Sequence, residues 1–126
     1  ELDDPVAVLR DAAARLAPGG LVHLTLQNPR SIHRLAALEL GLLDDLTEVA
    51  ARGRQWGTNR LYEADELAAL GAAAGLAEVS REGVMLKPLP NAQMAELPDE
   101  AVEGLIRVAP HFPGHCAMNY LVMRHA

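Results

Sequence analysis

The sequence has few aromatic residues and a single cysteine, and both shortages limit what the protein can be. Aromatic residues make up 3% of the 126 residues, so a hydrophobic core must be built mainly from leucine, valine and alanine. With Cys116 as the one cysteine, no disulfide can form within the chain. Free thiols are the rule in reducing compartments, and we expect a cytoplasmic protein.

The chain also lacks any basic block and any long hydrophobic run. No two lysine or arginine residues are adjacent, and the formal net charge is −6. Because phosphate groups are bound by basic surfaces, we expect no nucleic acid and no membrane as partner. No apolar run approaches the roughly 20 residues that a membrane-spanning helix needs. With 50% hydrophobic and 22% charged residues, the composition instead indicates a globular protein.

The N-terminal part of the chain predicts a helix followed by a strand. Asp4 is a typical N-cap residue, Pro5 suits the first helical position, and Pro-Gly-Gly at 18–20 ends the helix. In residues 21–27 (LVHLTLQ), one alternating set is wholly apolar, and the other is mixed but uncharged when His23 is neutral. This favours a strand covered on both faces, in a sheet between helices, although the alternation also fits a half-exposed strand.

The rest of the chain alternates between helical and strand patterns. Residues 31–51 repeat apolar side chains at helical spacing, with a possible break at Gly41, and a loop carrying the single tryptophan follows. A third helix is predicted to end near Gly75, because glycine readily adopts the left-handed conformation that caps helices. A strand region, a short helix and a closing strand complete the pattern.

Three segments together resemble one known family. They are LDDPVAVLRDAAARLAPGGLVHLTLQNP (residues 2–29), RLYEADELAALGAAAGLAEV (residues 60–79) and HCAMNYLVMRH (residues 115–125). In this order they are similar to the C-terminal half of class I S-adenosylmethionine-dependent methyltransferases. The first segment is similar to the helix and fifth strand of that family, and the last resembles its antiparallel seventh strand.

The resemblance implies an α/β fold that is the C-terminal half of a Rossmann-like methyltransferase sheet, with an inserted helical lid. Residues 1–126 then form a single partial domain. Residues 1–30 supply a helix and a central strand, residues 31–60 the helical lid, and residues 61–126 a helix, a strand, a helix and an antiparallel closing strand. The sheet is expected to be mostly parallel, with residues 21–27 in its interior.

The chain departs from the family where the cofactor is held. The family binds S-adenosylmethionine mainly with a glycine-rich loop after its first strand, whereas here Pro-Gly-Gly at 18–20 precedes a strand. We therefore expect a fragment, or the visible part, of a longer protein that is inactive when it lacks the cofactor half. The expected partners are that N-terminal half or further copies of the chain.

The resemblance also implies where the cofactor and the acceptor bind. Glu1 and Leu2 stand where the family's chain leaves its fourth strand beside the cofactor, with a frayed terminus as the alternative. Asn28 and Arg30 follow the strand at the end where α/β sheets bind ligands, and the family's acceptor pocket lies there. The alternative for Asn28 is that asparagine before proline simply terminates the strand.

Further candidates come from the lid and the loop that follows it. Trp56, Asn59 and Tyr62 are expected to border the acceptor, although Trp56 can equally anchor the loop onto the core. His33 is the candidate base, because histidine titrates near pH 6.5 and can take a proton from an acceptor group. A solvated histidine on a helix is the alternative interpretation of His33.

A metal site is a third possibility raised by the sequence. His111, His115 and Cys116 are ligand types that zinc prefers. However, Pro113 and Gly114 interrupt the helix that would place the two histidines on one face. We predict that there is no metal site and that Cys116 is a buried apolar residue.

Two functions of different classes remain open on the sequence alone. The first is methyl transfer from S-adenosylmethionine to a small-molecule acceptor, with this chain supplying the acceptor-side half. The second is a non-enzymatic α/β binding or scaffolding module that lacks the cofactor half. The second predicts that a partner chain covers the apolar edge near residues 22–26.

Overall fold

A computed structural model describes residues 3–46 and 60–126 of the chain. The described residues form a mixed α/β structure with a three-stranded sheet. In chain order the elements are α1 (Pro5–Ala14), β1 (Val22–Gln27), α2 (Ile32–Glu39), α3 (Ala64–Ala73), β2 (Leu76–Val84), α4 (Asn91–Met94), α5 (Asp99–Val108) and β3 (Met118–His125). Two short 3-10 turns, Ala109–His111 and Pro113–His115, connect α5 to β3.

The sheet has the order β1-β3-β2, and β3 is antiparallel to both of its neighbours. Leu121, near the middle of β3, lies opposite Leu24 of β1 and Arg81 of β2. Because both outer strands oppose β3, they run parallel to each other, and their carboxyl ends lie at the same edge of the sheet. A register irregularity between Glu78 and Ser80 interrupts the β2–β3 pairing.

The prediction of a mostly parallel sheet with residues 21–27 in its interior is not met by the described residues. Among residues 3–46 and 60–126, both strand pairings are antiparallel, and β1 pairs with β3 alone. The physical reason is that β3 occupies the space between β1 and β2 and takes the backbone hydrogen bonds of their facing edges. The described residues form a mixed α/β structure with a small antiparallel sheet, without a Rossmann-like sheet.

Local signals in the sequence position the helix ends. The Asp4 side chain accepts a hydrogen bond from the Ala7 amide at 3.0 Å, and Pro5 is the first residue of α1. Helix α2 ends at Glu39, and Gly41 has a φ of 74°, in the left-handed region. The predicted helical lid is therefore helical over α2, and residues 47–59 lie outside the described part of the chain.

The main core lies between one face of the sheet and the helices α1 and α3. Leu9 of α1, Leu76 of β2 and Met123 of β3 are buried together, with Leu24 of β1 packed against them. Burial of each such side chain contributes about 1.5–3 kcal/mol. Gly71 of α3 lies against the Met123 side chain, so the absence of a Cβ allows α3 to approach the sheet closely.

The prediction that β1 is covered on both faces is wrong, because one of its faces is exposed. His23, Thr25 and Gln27 are exposed, and the burial of β1 alternates along its whole length. Both α1 and α3 contribute to the cluster on the other face, so they leave this one uncovered in the described chain. The half-exposed strand, which the alternation also allowed, is what the structure has.

A smaller core cluster lies where the chain enters β3. Cys116 is fully buried with Leu86 and Ala109, and Leu105 and Val108 of α5 pack against them. The Cys116 thiol donates to the backbone carbonyl oxygens of Ala109 and Phe112, at 3.6 and 3.4 Å, and burial raises its pKa. The thiol is therefore held in its protonated form inside the fold.

Gly83 should be sensitive to substitution because it touches the backbone of the turn before β3. A Cβ at position 83 would collide with the Pro113 carbonyl oxygen and would also crowd Cys116. We expect Gly83→Ala to lower the free energy of unfolding by about 1–3 kcal/mol, since the backbone must shift to make room. Urea unfolding followed by circular dichroism measures this change.

Gly104, inside α5, provides the matched control. Nothing lies within 4 Å of a Cβ built there, so Gly104→Ala should raise the free energy of unfolding by about 0.5–1 kcal/mol through helix propensity. Equal effects of the two substitutions would contradict the packing described for Gly83.

Candidate functional site

Asn28 ties the end of β1 to the turn that precedes β3. Its side chain is almost fully buried, and its Nδ2 donates to the carbonyl oxygens of Gly114 and Cys116 at 3.0 and 2.9 Å. Its Oδ1 accepts from the Arg30 amide at 3.0 Å. Both amide protons of Asn28 are used within the protein, so Asn28 shapes the site rather than donating to a ligand.

A cleft of about 370 Å³ opens at the carboxyl ends of β1 and β2, beside the N-terminus of α3. We call it the polar cleft. Its polar lining includes Asn28, Arg30, Glu63, Asp65, Arg81 and Asn119. The turn at residues 113–115 forms one wall of the polar cleft.

The two arginines of the polar cleft are held very differently. Arg81 is paired with Asp65 at 2.6 Å and with Glu78 at 2.8 Å, and hydrogen bonds to these carboxylates, Glu78 foremost, raise its pKa. Arg30 approaches Glu63 only to 3.8 Å, which is beyond hydrogen-bonding distance. The charge of Arg81 is thus satisfied within the protein, whereas the guanidinium of Arg30 is open to a further partner.

The backbone of Arg30 is fixed on both sides even though its guanidinium is exposed. Its amide donates to Asn28, and its carbonyl oxygen accepts from the Nδ1 of His115 at 3.1 Å, with His115 in the tautomer that makes Nδ1 the donor. Fixing both backbone groups limits the positions that the guanidinium can reach. Arg30 is therefore an exposed cation on a fixed backbone at the rim of the polar cleft.

Asn119 is a buried polar side chain of the polar cleft. The residue is 5% exposed, and the central position of β3 leaves its backbone paired with β1 and β2. Within residues 3–46 and 60–126, its side chain makes no hydrogen bond to a protein group. The amide atoms themselves are not sealed from the cleft, so they can bond to water or to a ligand bound there.

Two further cavities lie along β1. A groove of about 260 Å³, which we call the apolar groove, runs beside Leu24 and Leu26 and is closed by α1 and α3. A smaller cavity of about 140 Å³ lies between the end of β1 and residues 60–62. Tyr62 borders both cavities, and the guanidinium of Arg60 lies 4.6 Å above its ring. Arg60 and Tyr62 therefore make a cation–π contact.

His33 lies at the start of α2, outside the residues that line these three cavities. Its Nδ1 is 3.1 Å from the Ser31 hydroxyl. Partial burial lowers its pKa below the ordinary value of 6.5, and the positive charges of Lys87 and Arg34 act in the same direction. His33 is therefore neutral at pH 7, the form that can accept a proton.

The structure brings together only part of the predicted site. Asn28 and Arg30 share the polar cleft, Tyr62 lies at the neighbouring cavities, and His33 stands apart. The positions of Glu1, Leu2, Trp56 and Asn59 lie outside the described residues.

Sequence reasoning missed Glu63 and Asn119. The signal for Asn119 was available, because it is the polar member of an alternating set whose other members, Leu121 and Met123, are apolar. A polar residue on an otherwise buried strand face marks either a hydrogen-bonded network or a ligand. Nothing comparable in the sequence singles out Glu63, which reaches Arg30 only through the fold.

Two of the three residues considered for zinc, Cys116 and His115, make hydrogen bonds within the protein. Cys116 is buried with its thiol directed at backbone carbonyls, and His115 donates to Arg30. In the described part of the chain, no three histidine, cysteine, aspartate or glutamate side chains are grouped so that they can hold a metal ion. Across the same residues, no helix combines the length and apolar character needed to cross a membrane.

In comparisons with known proteins, no family model matches this chain, and none of the curated proteins gives a significant match. The site must therefore be interpreted from its own geometry.

The lowered pKa of His33 predicts a pH dependence of stability. Because the folded protein holds His33 neutral, its contribution is complete above pH 6.5. Below that pH the unfolded chain binds a proton first, and the free energy of unfolding falls until the folded His33 also protonates. We expect His33→Gln to flatten this fall.

Urea unfolding between pH 7.5 and 5, with a proton NMR titration of His33, measures both quantities. His125→Gln, at an exposed position at the end of β3, is the matched control. An NMR midpoint for His33 above the ordinary histidine value would contradict the burial described here.

Proposed function

We propose that this chain supplies the acceptor-side half of an S-adenosylmethionine-dependent methyltransferase acting on a small molecule. The observation that carries the proposal is the placement of a polar cleft at the carboxyl ends of β1 and β2, two parallel-running strands joined through helices. Ligands of α/β sheets bind at that end of the strands. The segments similar to the methyltransferase family supply β1, the start of β2 and the antiparallel strand between them.

One edge of β1 has no partner strand among the described residues, which supports the presence of further protein beside it. β1 pairs with β3 on one side, and its other edge borders the apolar groove. An unpaired strand edge next to apolar side chains favours pairing with another strand. We propose that the cofactor-holding half of the sheet pairs there, and that the alternative, a partner chain on a non-enzymatic module, uses the same edge.

The described residues do not form a cofactor site of the family's kind. β1 is followed by Asn28-Pro29-Arg30 and β2 by Met85-Leu86, without the glycine-rich loop that lets a backbone approach a nucleotide. When bound to the remaining half, S-adenosylmethionine would supply an activated methyl group on sulfur. The residues of this chain would orient the acceptor and exclude water, which is most of what such a displacement needs.

Binding of S-adenosylmethionine tests this proposal. We expect calorimetric titration to show no heat with the 126-residue chain and saturable binding with the protein encoded by the full reading frame that contains it. The reason is that the glycine-rich loop belongs to the other half. Absence of binding to both proteins at millimolar ligand would favour the binding module.

His33 is the proposed base, because its neutral imidazole can accept a proton. Since it lies outside the residues that line the three cavities, the acceptor would have to extend beyond the polar cleft to reach it. In the full-length enzyme, His33→Ala should lower kcat by about 100-fold or more, the usual contribution of a general base. His125→Ala, at an exposed position at the end of β3, is the control and should keep its rate. An unchanged kcat for His33→Ala would show that His33 is not the base. Its role would then be limited to its contacts with Ser31 and Lys87.

A further inference from the structure

We propose that the polar cleft binds an α-amino acid head group, with its carboxylate on Arg30, its ammonium on Glu63 and an adjacent polar atom on Asn119. The inference rests on the proposed function only for the identity of the molecule that carries the head group. The three protein groups line one cleft, and each has unused bonding capacity.

Arg30 supplies the carboxylate partner. Its guanidinium makes no hydrogen bond within the described residues, although its backbone is fixed by Asn28 and His115. A guanidinium binds a carboxylate through two parallel hydrogen bonds, which fixes the orientation as well as the position of the ligand. The neighbouring Arg81 is excluded from this role, since Asp65 and Glu78 already hold it.

Glu63 supplies the ammonium partner. Its carboxylate takes part in a capping box with Glu66 at the start of α3, and its own amide donates to Glu66 Oε1 at 3.0 Å. The carboxylate is therefore held at the helix end while it remains open towards Arg30 at 3.8 Å. Arg30 and Glu63 carry opposite charges and make no hydrogen bond to each other. They therefore match a ligand whose ammonium and carboxylate groups are attached to the same carbon.

Ligands with a single charge fit this pair less well. A simple carboxylate on Arg30 would be repelled by the adjacent Glu63, and a simple amine on Glu63 would be repelled by Arg30. A zwitterion places an opposite charge at each position and leaves no like charges facing each other. The Asn119 amide, which makes no hydrogen bond to the described residues and lines the cleft, accommodates a hydroxyl or carbonyl next to the head group.

Two molecules of the proposed reaction can carry this head group. One is an acceptor of the amino acid class, and the other is the cofactor itself, whose methionyl part is an α-amino acid. The shared chemistry is the same ammonium and carboxylate pair.

NMR titration of the isotope-labelled protein tests the inference, with the side-chain signals of Arg30 Nε and Asn119 Nδ2 as the readout. The probes are L-serine, acetate and methylammonium, each added to the same concentration. We expect saturable shifts of both signals with serine and at least tenfold weaker effects with the two singly charged probes. Acetate binding as tightly as serine, or no saturable shift with any probe, would overturn the proposal.

Variants separate the two charges. Arg30→Gln and Glu63→Gln should each weaken serine binding by tenfold or more. The matched controls are Arg107→Gln and Glu103→Gln, which remove an exposed ion pair of 2.9 Å in α5 and should leave serine binding unchanged. Serine binding that survives Glu63→Gln unchanged contradicts an ammonium contact. If a variant does not fold, the comparison of the three probes on the unaltered protein still decides.

Titration of S-adenosylhomocysteine into the full-length protein distinguishes the two sources. Equal weakening of S-adenosylhomocysteine and serine by Arg30→Gln assigns the head group to the cofactor. Weakening of serine alone assigns it to the acceptor. Because neither measurement involves methyl transfer or S-adenosylmethionine, failure of the head-group proposal leaves the calorimetric test of the proposed function intact.

Discussion

The pairing of β3 between β1 and β2 is the constraint on which the rest of the structure depends. β3 is antiparallel to both neighbours, so their carboxyl ends meet at one edge of the sheet. The same edge receives the turn that leads into β3, and Asn28 joins it to the end of β1 through hydrogen bonds to Gly114 and Cys116. The polar cleft lies where the ends of β1 and β2 and the turn into β3 come together. The bond to Cys116 is buried and the bond to Gly114 is partly buried, so both are shielded from water and hold the wall of the cleft in place.

The elements that local chemistry determines could be predicted from the sequence. Asp4 and Pro5 mark the start of α1, and Gly75, with a φ of 84°, ends the helix that precedes β2. The alternation in residues 21–27 predicted a strand, and the mixed α/β class followed from the order of the patterns. Each of these features depends on residues within a few positions of one another, which is the range over which capping, turn and periodicity signals act.

Features that depend on distant residues were predicted less well. A strand with an apolar face and an uncharged mixed face does not reveal how many helices pack on it, and both α1 and α3 pack on the same side. The parallel or antiparallel sense of a sheet depends on which strand fills the gap between β1 and β2, and β3 comes from the far end of the chain. For the same reason the sequence indicated Asn28 and Arg30 but not Glu63. The distance of 3.8 Å between Arg30 and Glu63 is a product of the fold and leaves no local pattern.

The two main cavities differ in chemistry in a way that separates their roles. The apolar groove offers leucine side chains and an open strand edge, which suits a large surface of protein because hydrophobic burial is not directional. The polar cleft offers an exposed cation, a carboxylate at a helix start and a side-chain amide, which suits a small ligand because each group demands a specific partner. The end of β1 lies between these environments, with Leu26 beside the groove and Asn28 in the cleft. A ligand in the cleft and protein along the groove would therefore contact the same strand at different residues.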